Sequence, residues 1–233
     1  MVEYLQWDSG FFKRKIGRIS ITNKSNLSDL LDNARKSGYN LIYCFTKESL
    51  LIENTILDRF NGSLVDQKII FKGITNITNK DISDIKEFEG TIVNEELLNL
   101  AYLSGSYSRY KTDYHFTEAE FKKFYRTWVE NSLKKEIADK TFVAYNKENM
   151  IVGLVTVKKS IDTGTIGLIA TDSSLQKRGL GRKLMNAVQI YLYNNGISFW
   201  EVATQKDNKN ACDFYRKCGL TEKETNNIYH FWL

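Results

Sequence analysis

The sequence predicts a mixed α/β protein, and three observations carry that reading. Over the first hundred residues, apolar runs such as Leu41-Ile42-Tyr43-Cys44-Phe45 alternate with amphipathic stretches. From Thr141 onward, apolar runs and helical periods follow in the order β-β-β-α-β-α-β. Glycines or cap residues stand where those elements should begin and end.

The elements follow in chain order. Leu27, Leu30, Leu31 and Ala34 fall at helical spacing, with Ser25 or Asn26 as cap and Gly38 at the stop. The runs at 41–45 and 68–71 read as strands. Between Asp81 and Ser108 the pattern loosens into polar and helical pieces that end at Ser104-Gly105-Ser106. This is the expected seam between an N-terminal α/β module, residues 1–103, and a second domain, residues 104–233. Phe121, Phe124, Tyr125, Trp128, Val129 and Ser132 make one stripe at helical intervals, with core packing as its expected purpose. Runs at 141–145 and 151–157 bracket a turn at 146–149 and predict an antiparallel pair. A third strand at 165–170 follows, then a helix at 180–194 closed by Gly196 and a strand at 199–204. A helix at 209–217, closed by Gly219, and a strand at 228–233 complete the series.

A chain of 233 residues can bury the cores of two modest domains. Its 42% hydrophobic and 26% charged content is ordinary for a soluble protein. No apolar segment reaches bilayer length, and Met1 to Asp8 has no signal-peptide pattern, so the cytoplasm is the expected location and no membrane partner is expected. Cys44, Cys212 and Cys218 form no CxxC pair and are expected to be reduced thiols. With only His115 and His230 present, neither a metal site nor a Ser/His/Asp triad is expected. A net charge of +5 favours anionic ligands. Zinc-finger spacing, RNP-like aromatics and basic blocks are missing, which turns the expectation from nucleic acid toward a phosphorylated small molecule.

The sharpest local signal is Gln176-Lys177-Arg178-Gly179-Leu180-Gly181, set between a strand and an amphipathic helix. Two glycines let backbone approach a ligand closely, and the free N–H groups at a helix start favour an anion such as a pyrophosphate. Lys177, Arg178, Arg182 and Lys183 add positive charge, although each alone is also what a solvated helix face shows. Neither GxxxxGK[ST] nor GxGxxG occurs, so nucleotide hydrolysis and dinucleotide binding are unsupported. The second signal is the run from Asn208 to Leu220, in which Asn208 can cap a helix and Tyr215 lies one turn beyond Ala211. Alone, that tyrosine would read as core.

Gln-x-x-Gly-x-Gly after a strand, followed about thirty residues later by Asn-x-x-Ala-x-x-x-Tyr-x-x-x-Gly, resembles the acetyl-coenzyme A motifs of the GNAT family of N-acetyltransferases. The resemblance covers roughly residues 104–233 and implies a mixed, mostly antiparallel sheet flanked by helices. It also implies acetyl-CoA as co-substrate, with direct transfer of the acetyl group to an amine. Carried over, Gln176, Lys177, Arg178, Gly179, Gly181 and Arg182 would cradle the pyrophosphate. Leu168, Ile169 and Ala170 would offer backbone groups to pantetheine, Asn208 and Ala211 would lie by the cofactor arm, and Tyr215 would be the acid for the thiolate. Many family members carry a glutamate on the strand before the glycine turn. Residues 167–170 contain no carboxylate, which leaves Glu201 on the next strand as the candidate base, or an amine that enters neutral.

Trp7-Asp8-Ser9, Ser108-Arg109-Tyr110, Trp128-Val129-Glu130-Asn131 and Val202-Ala203-Thr204-Gln205 further resemble the bacterial acetyltransferases of dTDP-linked 4-amino-4,6-dideoxygalactose, which serve surface-polysaccharide synthesis. That likeness implies a nucleotide sugar as the amine and makes Arg109 the candidate substrate anchor, since a guanidinium grips phosphate or sugar oxygens with two bonds. The alternatives are another amine, such as a peptide N-terminus, a polyamine or an antibiotic, or a non-catalytic module that binds coenzyme A. The expected partners are thus acetyl-CoA and a small amine, with homodimerisation left open.

Overall fold

The structure, a computed structural model, describes every residue except 24–25, 78–80 and 176–177. Contacts divide the chain into two compact units: residues 1–69 with 205–207 and 224–233, and residues 70–204 with 208–223.

The first unit holds β1 (Glu3–Tyr4), α1 (Gln6–Phe12), β2 (Ile16–Ile21), α2 (Leu27–Lys36), β3 (Leu41–Lys47) and α3 (Asn54–Arg59). It also holds the start of β4 (Gly62–Ile74) and the end of the last strand, β10 (Thr221–Trp232). Strand order is β1-β2-β3-β10-β4, with β2 parallel and β10 antiparallel to β3. The continuous apolar run of β3 suits its central place, because it is buried on both faces from Leu41 to Cys44. Leu27, Leu31 and Ala34 turn the α2 stripe onto Ile19, Ile42, Cys44, Phe60 and Phe231. Burial without a charged neighbour pushes the Cys44 thiol up to about 12, so it is an inert packing group.

The second unit contains β5 (Ile85–Glu87), α4 (Glu95–Ser104), α5 (Arg109–Thr112), α6 (Glu118–Leu133), β6 (Lys140–Tyr145) and β7 (Ile151–Lys159). It continues with β8 (Thr163–Thr171), α7 (Leu180–Asn194), β9 (Phe199–Gln205) and α8 (Lys209–Lys217). Strand order is β4-β9-β8-β7-β6-β5, antiparallel from β5 through β8 and parallel between β8 and β9. This is the mixed, mostly antiparallel α/β architecture expected above. Helix α6 begins with a capping box in which Thr117 and Glu120 satisfy each other's backbone N–H groups. Its stripe buries Phe121, Tyr125, Val129 and Ser132, while Phe124 and Trp128 on its flank are only partly buried.

These units divide the chain differently from a single cut after residue 103. Helix α4 packs on α6, β7 and β8, so residues 70–103 group with the second unit, while residues 224–233 belong to the first, where Asn226 to Trp232 pair with β3. The seam at Ser104-Gly105-Ser106 is the C-terminal end of α4, with Tyr125 packed against Gly105 where a Cβ would stand.

Candidate active site

Strand β8 organises the site. Gly164 and Ile166 are buried on one face, where a Cβ added to Gly164 would lie 2.3 Å from Leu192 of α7. Helix α7 therefore covers that face. The opposite face carries Thr165 and Gly167, both exposed, and a Cβ on Gly167 would lie 2.9 Å from the Thr156 hydroxyl and 3.4 Å from the Trp128 indole nitrogen of α6.

The parallel pairing of β8 with β9 runs from Thr163 opposite Phe199 to Ile166 opposite Val202 and stops there, although β8 continues to Thr171. Past that point the two strands fork. On the other side of β8, a bulge between Val155 and Val157 offsets the register, and the Leu168 amide there donates to the buried Thr156 hydroxyl at 2.9 Å. Of the three residues predicted to meet pantetheine, Leu168 thus has its N–H satisfied internally. Ile169 and Ala170 lie beyond the last residue paired with β9.

Gly179 opens α7 with φ +82°, a left-handed conformation that L side chains adopt at a cost of about 1–2 kcal/mol. Among the described residues no side chain caps α7, so the first-turn N–H groups of Leu180, Gly181 and Arg182 lack an internal partner of the usual kind there. The space a Gly179 Cβ would enter is open to 4 Å. A bare, uncapped helix start with this clearance accommodates a diphosphate. Gly181 also serves the packing of the two helices, because a Cβ there would stand 3.1 Å from the Phe214 ring, which seats α8 against the first turn of α7.

The predicted cations behave unequally. Arg178 is exposed and makes no ion pair among the described residues, so it is available to an anion. The Arg182 guanidinium donates to the Lys217 carbonyl and closes the C-terminal end of α8. Lys183 is neutralised by Asp81 and Asp84. Gln176 and Lys177 lie outside the described residues.

Helix α8 brings three predicted residues together. Asn208 is its N-cap and accepts from the Ala211 amide at 3.2 Å. Replacing Asn208 by Ala should cost about 1 kcal/mol, measurable as a fall of about 2–4 °C in the calorimetric midpoint of a chain this size. One turn after Ala211, the Tyr215 ring is buried, 5.6 Å from Phe71 and 5.5 Å from Phe214. Burial, with a smaller contribution from Cys218 and Cys212, pushes the phenol above its ordinary value. The Cys212 thiol, also buried, is pushed up by desolvation, which disfavours an acyl-thiolate role.

Glu201 pairs in register with Thr165 and so shares the Gly167 face of the sheet. Its carboxylate meets the Lys223 ammonium at 2.9 Å and that of Lys72 at 3.9 Å. The two lysines compete with any amine for the same oxygen. Arg109 lies on α5, with its guanidinium 4.8 Å over the Tyr110 ring and a hydrogen bond to the Tyr110 hydroxyl at 2.8 Å. Trp128, Thr156, Lys72 and Lys223 were not read from the sequence as site residues. Lys72 and Lys223 come from β4 and β10, far in sequence from Glu201, and no local pattern announces them. A separate concavity of about 630 Å³, lined by Phe142, Tyr191, Lys140 and Glu87, lies against α7, β5 and β6 and offers no group suited to acyl transfer.

A forked parallel pair beside an uncapped glycine turn, with a buried tyrosine on the next helix, defines an acyl-CoA transferase architecture. The chain belongs to the GNAT family of acetyltransferases, whose pattern matches residues 102–220. The family implies acetyl-CoA as the donor. Over its full length the chain is 24% identical to a dTDP-fucosamine acetyltransferase of Escherichia coli, covering 96% of that protein. Among solved structures, a conserved protein of unknown function from Staphylococcus epidermidis superposes with a TM-score of 0.65 at 13% identity, over 93% of this chain and 83% of that one. A GCN5-related N-acetyltransferase from Sphaerobacter thermophilus gives 0.53 at 15% identity, over 82% of this chain and 59% of that one. No described helix is long and apolar enough to cross a membrane.

Proposed function

We propose that this N-acetyltransferase moves the acetyl group of acetyl-CoA directly to the 4-amino group of a dTDP-linked amino-dideoxy sugar within a ternary complex. The observation that carries the acceptor is the full-length likeness to the dTDP-fucosamine enzyme, since it extends over both compact units. The excess of positive charge suits a nucleotide diphosphate.

In this reading the first-turn amides of α7, with Gly179, Gly181 and Arg178, hold the diphosphate of the donor. Ile169 and Ala170 offer backbone groups to the pantetheine arm in the fork. The amine nitrogen attacks the thioester carbonyl carbon, and the carbon–sulfur bond then breaks. Tyr215 gives its phenolic proton to the departing sulfur. A free thiol titrates near about 8.5 and a phenol near about 10, so the phenol is the weaker acid and assists as a hydrogen-bond donor whose proton follows the charge developing on sulfur. The amine proton passes to Glu201, directly or through a water. Holding both reactants in line supplies most of the acceleration, roughly 7–11 kcal/mol in favourable cases.

The test is a panel of amines offered with acetyl-CoA while free thiol is followed. A dTDP-4-amino-4,6-dideoxyhexose should be turned over with a kcat/KM at least about tenfold above those of peptides, polyamines and aminoglycosides, a difference of about 1.4 kcal/mol or more. A better rate with any of those, or thiol release with none, would remove the sugar assignment.

A further inference from the structure

We infer that Trp128 is the platform on which the acceptor ring lies, and that the acceptor is a pyranose amine carrying an anionic group. This rests on the acetyltransfer reading above but makes a separate claim. Gly167 sits mid-strand in a central strand, where a side chain would normally be covered, yet it is exposed. Beside it stands the partly buried Trp128 indole, stacked on Tyr125 at 5.8 Å, whose N–H makes no hydrogen bond to a described residue. The glycine backbone and the indole together leave a surface edged by the Trp128 N–H and the Thr156 hydroxyl. Such a surface fits the C–H face and ring hydroxyls of a sugar.

The place of this floor is also right for an acceptor. Gly167 is the first β8 residue past the last pair with β9, so the floor adjoins the fork, but on the face away from α7. A donor seated at the start of α7 and an amine seated on Trp128 would reach β8 from opposite sides. That arrangement lets the amine approach the face of the thioester carbonyl. Glu201 shares the Trp128 side by its register with Thr165.

The remainder of the wall argues for the anion. From Trp128 the aromatic series continues through Phe124, at 5.5 Å between ring centres, to Tyr110, at 4.3 Å, and ends at the Arg109 guanidinium over the Tyr110 ring. The wall is thus apolar next to the reacting end and cationic at its far end. A sugar with a diphosphate on the ring position away from its amine has the same order of chemistry.

The experiment uses the full chain, with steady-state kinetics and tryptophan emission in parallel. Trp128→Ala should raise the acceptor KM at least tenfold and leave the acetyl-CoA KM within twofold, and Trp128→Tyr should recover most of the loss. Titrating a dTDP-4-amino-4,6-dideoxyhexose should quench emission in the wild type but not in Trp128→Phe, a variant that keeps the aromatic packing and hence the fold. If another pyranose amine proves to be the accepted one, the same pair of readouts applies to it, so failure of the nucleotide-sugar assignment is told apart from failure of the platform. Equal quenching in the wild type and Trp128→Phe, a rise in the acetyl-CoA KM matching that of the acceptor, or turnover of an acyclic amine alone would each overturn the inference.

Discussion

Replacing Tyr215 by Phe should lower kcat on the order of 100-fold while leaving the acetyl-CoA KM nearly unchanged. The ring is buried against Phe71 and Phe214, so the phenylalanine fills the same volume and the fold persists. Only the proton for the departing sulfur is lost, and that interaction matters only in the transition state. Thiol release under saturating substrates reads the effect, and a kcat within twofold of the wild type would remove Tyr215 from its role. The pH dependence follows from the same burial. Because the phenol is pushed up, it stays protonated through the ordinary phenol value near about 10, and the alkaline limb it imposes on kcat lies above that pH. The sign for stability is the matching one. The unfolded tyrosine ionises first, so the folding contribution is fully present below about pH 10 and is lost as pH rises toward the folded-state value.

Gly179→Glu should raise the acetyl-CoA KM about 10–100-fold, whereas Gly179→Ala should change it little. Both variants bear the left-handed strain of about 1–2 kcal/mol, expected to lower the melting midpoint by about 2–8 °C. Neither meets a steric obstacle, since the space around that position is open. Only the glutamate adds a carboxylate where the uncapped α7 amides would face a diphosphate. The pair therefore separates strain from charge: the midpoint reports the first, and KM reports the second. Equal KM values in the two variants would mean that the turn does not face the anion.

Residues whose chemistry is local were legible in the sequence. The α8 cap, the spacing of Asn208, Ala211 and Tyr215 and the glycine turn before α7 all follow from patterns within one turn of helix, although the left-handed φ of Gly179 was not itself legible there. The strand and helix order from Thr141 was legible for the same reason. The fork was not, because it depends on where pairing stops between strands some thirty residues apart. Nor could spacing show that Arg182 is taken up by the Lys217 carbonyl, or that Glu201 is held by lysines from β4 and β10. Trp128 carries the same residue type and period as the buried stripe of α6, and only its exposure beside Gly167 sets it apart. The division into units was hidden for a related reason: β10 spans both, and its pairing with β3 joins residues 226–232 to residues 41–47.

The most direct test of the account is a calorimetric titration of acetyl-CoA into the full-length wild type and into Gly179→Glu. The wild type should bind one molecule per chain with a clear heat, and the variant should bind at least tenfold more weakly. An absence of heat with the wild type, or equal affinities for the two proteins, would contradict the claim that the uncapped start of α7 holds the donor.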